Sequence, residues 1–457
     1  MRITRHYLSI HGRRVHYRRA GSGPPLLMVH QSPRSSAEYE ELMLRWGADF
    51  TCIAPDTPGF GQSDPLGPKS SGADPDINDY ADAVVEFARA LGLTRTAAYG
   101  FHSGGIILVT ALKRHPAFFS GLAVGGYAIW APQEMAIFGE AYLPPFRPSL
   151  YGEHLPWLWH RIMEQSWFFP WFDVRDAARL PGAHDDPVRV HAIVMEMLDA
   201  GDAYRAGYGA VLRAPRDIPP VNAVTPPVLI SAYDGDPLQA HIDRLGAMPA
   251  GWRAQKVATA AEHQAISLDF LRDHSGPVVE HLAEDDDAGF LPVATAGFDG
   301  LIHWQGKGNY IELHPPGSEG ALVDAPDAIR IDLPGHGLSS GWPSGMPEHN
   351  LNWEGVAAQA ARAFDIETIE AAPYMDGDPD RLFPDLTPDR HGSYLTKAWS
   401  IVRARQFFAP WYEAKAANAS IFDPATITPD RLALEHRALL RATSARAFAQ
   451  ALQQEDD

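Results

Sequence analysis

The sequence predicts an α/β fold built on a largely parallel sheet with helices on both faces, followed by a shorter α/β region. Three observations carry this. Short continuous apolar runs alternate with helix-periodic segments over the first hundred residues, as expected of strands buried on both faces and joined by helical crossovers. A glycine-rich strand-to-helix turn stands at Gly100-Phe101-His102-Ser103-Gly104-Gly105. The strand rhythm resumes, after a long aromatic insertion, at Pro227-Val228-Leu229-Ile230-Ser231.

Each element has its own reason. Ile3–Ile10 and Arg14–Arg19 are alternating runs around Gly12, which predicts a hairpin. Leu26–His30 is an apolar run entered through Gly23-Pro24-Pro25, a strand buried on both faces. A helix is expected near Ser36–Trp46 and a strand at Phe50–Pro55, closed by the turn-rich Asp56-Thr57-Pro58-Gly59-Phe60-Gly61. Asp79–Leu91 has helical spacing, Thr96–Tyr99 is a short strand, and Ile106–Arg114 is an apolar helix. Residues 131–222 read as helical with proline breaks and many aromatics, among them Trp157, Trp159, Trp167 and Trp171. They form an insertion between two strands of one sheet. A helix from Leu238, a strand near Arg253–Val257 and a helix near Ile266–Asp273 close the first region.

At 457 residues the length alone suggests roughly three domains. With 45% hydrophobic and 21% charged residues the chain has ample material for a core. Its formal charge of −19 argues against nucleic-acid or anionic-membrane binding, since both need cationic patches. There is one cysteine, Cys52, inside an apolar strand; that excludes an internal disulfide and a cysteine-rich zinc site and reads as core. No run of 18 apolar residues and no signal-peptide pattern is present, so a cytoplasmic location is expected.

The best linker is the acidic Ala283–Gly289, which divides residues 1–283 from 284–457. The second region looks like a partial copy of the first. Gly12–Tyr17 pairs with Gly300–Trp304, Leu26–His30 with Tyr310–His314, and Asp56–Ser63 with Asp332–Ser339. In the insertion, Gly152, Leu155, Trp159, Pro170 and Trp171 match Gly392, Leu395, Trp399, Pro410 and Trp411 at one constant offset. The stretch from His314 to Pro334 is shorter than that from His30 to Pro58, so most of a helix is missing there. Nothing after Ile366 resembles Gly100–Gly105, and the late strands have no copy. A truncated copy with open strand edges calls for a partner, so a homodimer, or packing on the first region, is expected. His303, His314 and His336 read as inherited or structural.

Taken in order, these pieces resemble the α/β-hydrolase superfamily over residues 1–283, with 131–222 as a helical cap and 284–457 as a truncated α/β-hydrolase-like domain. The resemblance implies a nucleophile on the strained Gly-x-Ser-x-Gly turn, a histidine base, a carboxylate that orients it, and two backbone N–H groups for an oxyanion. Here His102 stands where serine is usual. With His102 central both flanking glycines fit; with Ser103 central the first glycine becomes Phe101. His263 takes the base position and Asp236 or Asp234 the acid, with Asp236 favoured because it precedes Pro237. Gln31 and Ser103 are the oxyanion donors, and Arg34 stands near the mouth as a candidate for an acidic substrate or as a surface residue. An imidazole at the turn can be a base, an acid, a nucleophile or a metal ligand, though no sequence spacing supports a metal held by His102, His263 and an aspartate.

Three functions follow as expectations. The first is a hydrolase of an ester, lactone or carbon–carbon bond next to a carbonyl, acting on an apolar or aromatic small molecule with no cofactor. The second is a lyase or isomerase in which His102 moves a proton. The third is a catalytically inactive binding protein.

Overall fold

The computed structural model describes residues 1–138, 141–279, 282–283, 287–371, 373 and 376–456. The chain divides into two compact units: Met1–Arg147 with His160–Asp285, and Pro148–Trp159 with Asp286–Asp457. The expected boundary falls at residues 284–286, outside the described residues. Ala288 and Gly289, read from sequence as linker, open a strand instead.

The first unit holds an eight-stranded sheet: β1 (Thr4–Ile10), β2 (Arg13–Ala20), β3 (Pro25–Val29), β4 (Thr51–Pro55), β5 (Thr96–Phe101), β6 (Phe119–Gly125), β7 (Val228–Tyr233) and β8 (Trp252–Val257). Their order is β1-β2-β4-β3-β5-β6-β7-β8. The β1–β2 and β2–β4 pairs are antiparallel and all later pairs parallel. Every residue of β3 and β6 is buried, as strands covered on both faces require. Sequence reasoning missed β6, because Phe-Ser-Gly-Leu-Ala-Val-Gly has no alternation and follows a helix across His115-Pro116. The helix Ile77–Ala90 begins at an Asp76 cap, closed into a capping box by Asp79, and buries Tyr80, Val84, Val85 and Phe87 at helical spacing. The segment between β6 and β7 is helical, as expected, but its stretch Pro148–Trp159 belongs to the second compact unit. Among the described residues no helix is long and apolar enough to cross a membrane. Cys52 is buried, and burial pushes its thiol up to about 12.

A carboxylate ties the first strands together. Asp56, at the end of β4, accepts from the Ser36 N–H at 2.8 Å and the Gln62 N–H at 2.8 Å, and lies 2.8 Å from His16 Nδ1. Burial alone would raise this carboxyl, but His16, Arg18 and His30 hold it well below the usual range. Asp56→Asn is expected to cost about 3 kcal/mol in chemical unfolding, since it leaves buried donors and an imidazole unpaired. A depressed acid stabilises above its free value of 3.8 and loses that contribution as pH falls through the folded value. The variant's stability should therefore fall less steeply in acid than the wild type's.

The second unit carries a five-stranded sheet: β9 (Ala288–Thr295), β10 (Phe298–Gln305), β11 (Tyr310–Leu313), β12 (Ile329–Ile331) and β13 (Thr368–Ala371). Read from β9, the order is β9-β10-β12-β11-β13, with β9–β10 and β10–β12 antiparallel and the rest parallel. That is the order and direction of β1-β2-β4-β3-β5. The bonds repeat as well. Asp332 accepts from the Gly320 N–H at 2.7 Å and the Leu338 N–H at 2.8 Å, and meets His303 Nδ1 at 2.8 Å. His30 and His314 each accept a backbone N–H at 2.9 Å, from Thr57 and Leu333. Strand β13 occupies the place of β5, a correspondence the sequence did not reveal, because its four residues are all exposed and carry no apolar run.

Within the second unit the segment from Gly152 to Trp159 and the segment from Gly392 to Trp399 lie against each other. A Cβ on Gly152 would come 2.9 Å from the Trp399 indole, and one on Gly392 2.4 Å from that of Trp159. Trp399 Nε1 donates to the Leu150 carbonyl at 3.4 Å and Trp159 Nε1 to the Arg390 carbonyl at 3.3 Å. Each contact has its counterpart with the two segments exchanged.

Candidate active site

His102 joins β5 to the helix Ser103–Arg114. Its backbone is left-handed, φ 46° and ψ −111°, while Ser103 is the first helical residue. The strain of a sharp strand-to-helix turn thus falls on His102. The turn is this tight because Gly104 lies on β3: a Cβ there would sit 1.8 Å from the Val29 carbonyl oxygen.

The His102 side chain is a quarter exposed and reaches Asp236, whose side chain is fully buried just beyond β7; Nε2 and Oδ1 are 3.1 Å apart. The same oxygen accepts the Leu238 N–H at 2.8 Å, and Oδ2 has no donor among the described residues. Burial would raise the Asp236 carboxyl, but the charge and hydrogen bond of His102 bring it below its ordinary value. Asp234 is exposed and holds the Gln239 side chain at 2.6 Å, so it serves the turn and not the histidine.

The structure does not bring His263 against His102. His263 lies in the helix Ala260–Asp273, 2% exposed, with Nδ1 at 2.7 Å from the Ser231 hydroxyl and Nε2 at 3.0 Å from the Tyr99 hydroxyl. Both ring nitrogens are spent. Burial pushes its pKa down to about 4, so it is neutral. The Phe101 ring contacts both imidazoles, stacked on His102 at 4.1 Å and edge-on to His263 at 5.7 Å. The facing pair of imidazoles expected from sequence is therefore replaced by a His102–Asp236 pair with His263 packed beneath it. Among the described residues no group of three or more His, Cys, Asp or Glu is placed to hold a metal ion.

The early loop also differs from expectation. The Gln31 N–H and side-chain amide both donate to Glu38, at 3.1 and 2.8 Å, and burial pushes that carboxyl up to about 7. The Ser32 N–H donates to Ser103 Oγ at 3.0 Å. Of the expected oxyanion donors, the Ser103 N–H remains, at the first helical turn where no intrahelical acceptor exists. Arg34 is engaged by Glu196 of the helix Pro187–Ala200, whose other oxygen accepts the Ser35 hydroxyl at 2.7 Å. That ion pair removes Arg34 as a free anion site.

His102 and Ser103 open onto a cavity of about 60 Å³. Its walls are aromatic, from Trp130, Phe138, Tyr142, Phe169 and Tyr208, and Arg216 completes them. Sequence reasoning missed Arg216 and Gly126. A Cβ on Gly126 would lie 2.3 Å from His102 Cδ2 and 2.7 Å from Asp236 Oδ2, so only glycine leaves the pair room to meet. The doubled Gly125-Gly126 at the end of an apolar run was the available signal; Arg216, in a proline-flanked loop, offered none.

A sheet of this order, with a strained turn after β5 and a carboxylate after β7, defines the α/β-hydrolase class. A family model for the alpha/beta hydrolase fold matches residues 24–144, and this segment is an α/β-hydrolase segment. Among curated proteins the chain is similar to haloalkane dehalogenase 2 of Mycobacterium tuberculosis, 32% identical over 124 residues, which is 27% of this chain and 42% of the relative. It is also similar to a soluble epoxide hydrolase of Corynebacterium sp., 36% identical over 106 residues (23% and 35%). A cis-3-alkyl-4-alkyloxetan-2-one decarboxylase of Shewanella oneidensis is 31% identical over 123 residues (27% and 38%). The chain spans less than half the length of each. Among solved structures, an esterase of Thermogutta terrifontis is 16% identical with a TM-score of 0.44, covering 60% of this chain and all of that one.

Proposed function

We propose that the first unit is a hydrolase of an ester, a lactone or a carbon–carbon bond next to a carbonyl, with His102 as general base and Asp236 as the group that orients it. The observation that carries this reading is the His102–Asp236 hydrogen bond at the strained turn. With Nε2–H donated to Asp236, the lone pair sits on Nδ1, which has no partner among the described residues. That nitrogen takes a proton from water, and the hydroxide adds to the carbonyl carbon. The Ser103 N–H receives the oxyanion, and the imidazolium returns the proton to the leaving group as the intermediate collapses.

One observation favours a second reading, proton transfer by a lyase or isomerase. The Gln31 and Ser32 N–H groups are already bonded, which leaves fewer donors than a tetrahedral intermediate usually receives. The two separate on wild-type protein incubated in deuterium oxide with aryl esters, lactones and 1,3-diketones. Hydrolysis gives an acid and an alcohol from an ester, a hydroxy acid from a lactone, or an acid and a ketone from a diketone, with one water taken up per cleavage and its oxygen in the acid. Proton transfer gives deuterated substrate without net water uptake. If neither product forms with any of these, both enzymatic readings fall and the non-catalytic one stands.

We further infer that the second unit is a partial duplicate of the first. The shared strand order, the Asp56 and Asp332 networks and the constant offset of the tryptophan segment support this. Among its described residues no helix follows β13 until Pro379–Leu382, so it has no counterpart of the His102 turn. The exposed edge of β13 supports the expected homodimer, which sedimentation of the full chain would test.

A further inference from the structure

The second unit has a cavity of its own, of about 220 Å³. It lies past the carboxyl ends of β11 and β13 and is walled by Pro315, Pro316, Pro373, Leu382 and Phe383. Strands β11 and β13 are adjacent and parallel, and β12 pairs with β11 on its other side. The chain therefore changes side between β11 and β13. Ligands of open α/β sheets bind in the crevice that such a change opens at the strand ends. In the first unit β3 and β5 make the same junction, and His102 follows β5 there.

One cation lines this cavity without a counter-ion. Arg405 ends the helix Ser393–Arg405 and is half-buried. Among the described residues its guanidinium has neither a hydrogen bond nor an ion pair, and its nitrogens retain exposed surface. Its close neighbour is the Phe383 ring, whose centroid lies 5.2 Å from Cζ. Glu435 is the acid whose charge reaches Arg405, and that carboxylate is already taken. Its Oε1 accepts from Arg431 Nε at 2.9 Å and its Oε2 from Gln406 Nε2 at 2.7 Å. Burial pulls the pKa of Arg405 down to about 10, which leaves it charged at neutral pH. A guanidinium presents paired N–H donors along an edge, at the spacing of two carboxylate oxygens. The apolar walls favour an organic acid over a bare inorganic anion, whose other oxygens they would desolvate without return. An apolar cavity of about 150 Å³ holds one benzene ring, so this one has room for a ring and its carboxylate.

We propose that this cavity is a second ligand site, distinct from the one lined by His102, and that it takes a small apolar or aromatic monocarboxylate whose oxygens bind Arg405 and whose apolar part lies on Phe383 and the prolines. The proposal does not rest on the hydrolase reading, because binding is read without turnover.

Two measurements test it. The wild-type full chain is treated with phenylglyoxal, which modifies arginine, in the presence of benzoate, benzamide or inorganic phosphate. Mass spectrometry follows labelling of Arg405. Benzoate should protect Arg405 at a concentration about tenfold or more below that needed of benzamide or phosphate. Equal protection by benzamide removes the role of the charge, equal protection by phosphate removes the apolar part, and no protection by benzoate removes the site; each overturns the proposal without any variant having to fold. Benzoate affinity is then measured by calorimetry in wild type, Arg405→Lys and Arg405→Gln, with melting curves to confirm folding. The dissociation constant should rise about 10- to 100-fold in the glutamine variant and less in the lysine variant, which keeps the charge but not the fork. A folded Arg405→Gln that binds benzoate as wild type does overturns the assignment.

Discussion

His102→Ala is expected to lower kcat/KM about 100- to 10,000-fold, the usual range for loss of a positioned general base. His102→Ser should be equally inactive, although it restores the residue usual at this turn. A serine there needs a histidine to take its proton, and both nitrogens of His263 are held by Tyr99 and Ser231. Asp236→Asn keeps an acceptor for Nε2 but loses the charge, and a fall of about 100-fold is expected. Asp236 is held below its ordinary value of 3.8, so its contribution persists as pH falls and disappears only below that value. Steady-state kinetics over pH, with circular dichroism to confirm folding, would check all three. Full activity in His102→Ala, or a gain in His102→Ser, would overturn the role given to His102.

Gly126→Ala is expected to cost nearly as much activity while sparing most of the stability. The added methyl would occupy space now held by the His102 ring and the free Asp236 oxygen, and their bond must open. Such a displacement of a catalytic group costs about 100-fold. The left-handed backbone at Gly126, φ 58°, adds about 1 kcal/mol of strain. A variant with a wild-type unfolding midpoint and wild-type kinetics would mean that His102 does not need Asp236.

Much of this was legible in the sequence, for physical reasons. Buried parallel strands must be apolar throughout, so β3 and β4 announced themselves; β6, with a serine and two glycines and entered directly from a helix, did not. The turn at His102 was legible because glycines on either side mark a backbone with no room for side chains. The pairing of His102 with Asp236, instead of with His263, was not. It depends on Tyr99 and Ser231, two polar residues on buried strands that look like ordinary strand positions until a third chain segment reaches them. That Gln31 and Arg34 are engaged by carboxylates was not legible for the same reason. Their partners Glu38 and Glu196 lie on helices, and no sequence spacing links them to the loop.

The reciprocal contacts of Gly152 with Trp399 and of Gly392 with Trp159 couple four positions into one packing unit. A side chain added at either glycine would displace the tryptophan of the other segment, so a change in one segment is felt in both. An insertion of one residue in either helix would swing its tryptophan by about 100° and break the opposite seat as well as its own.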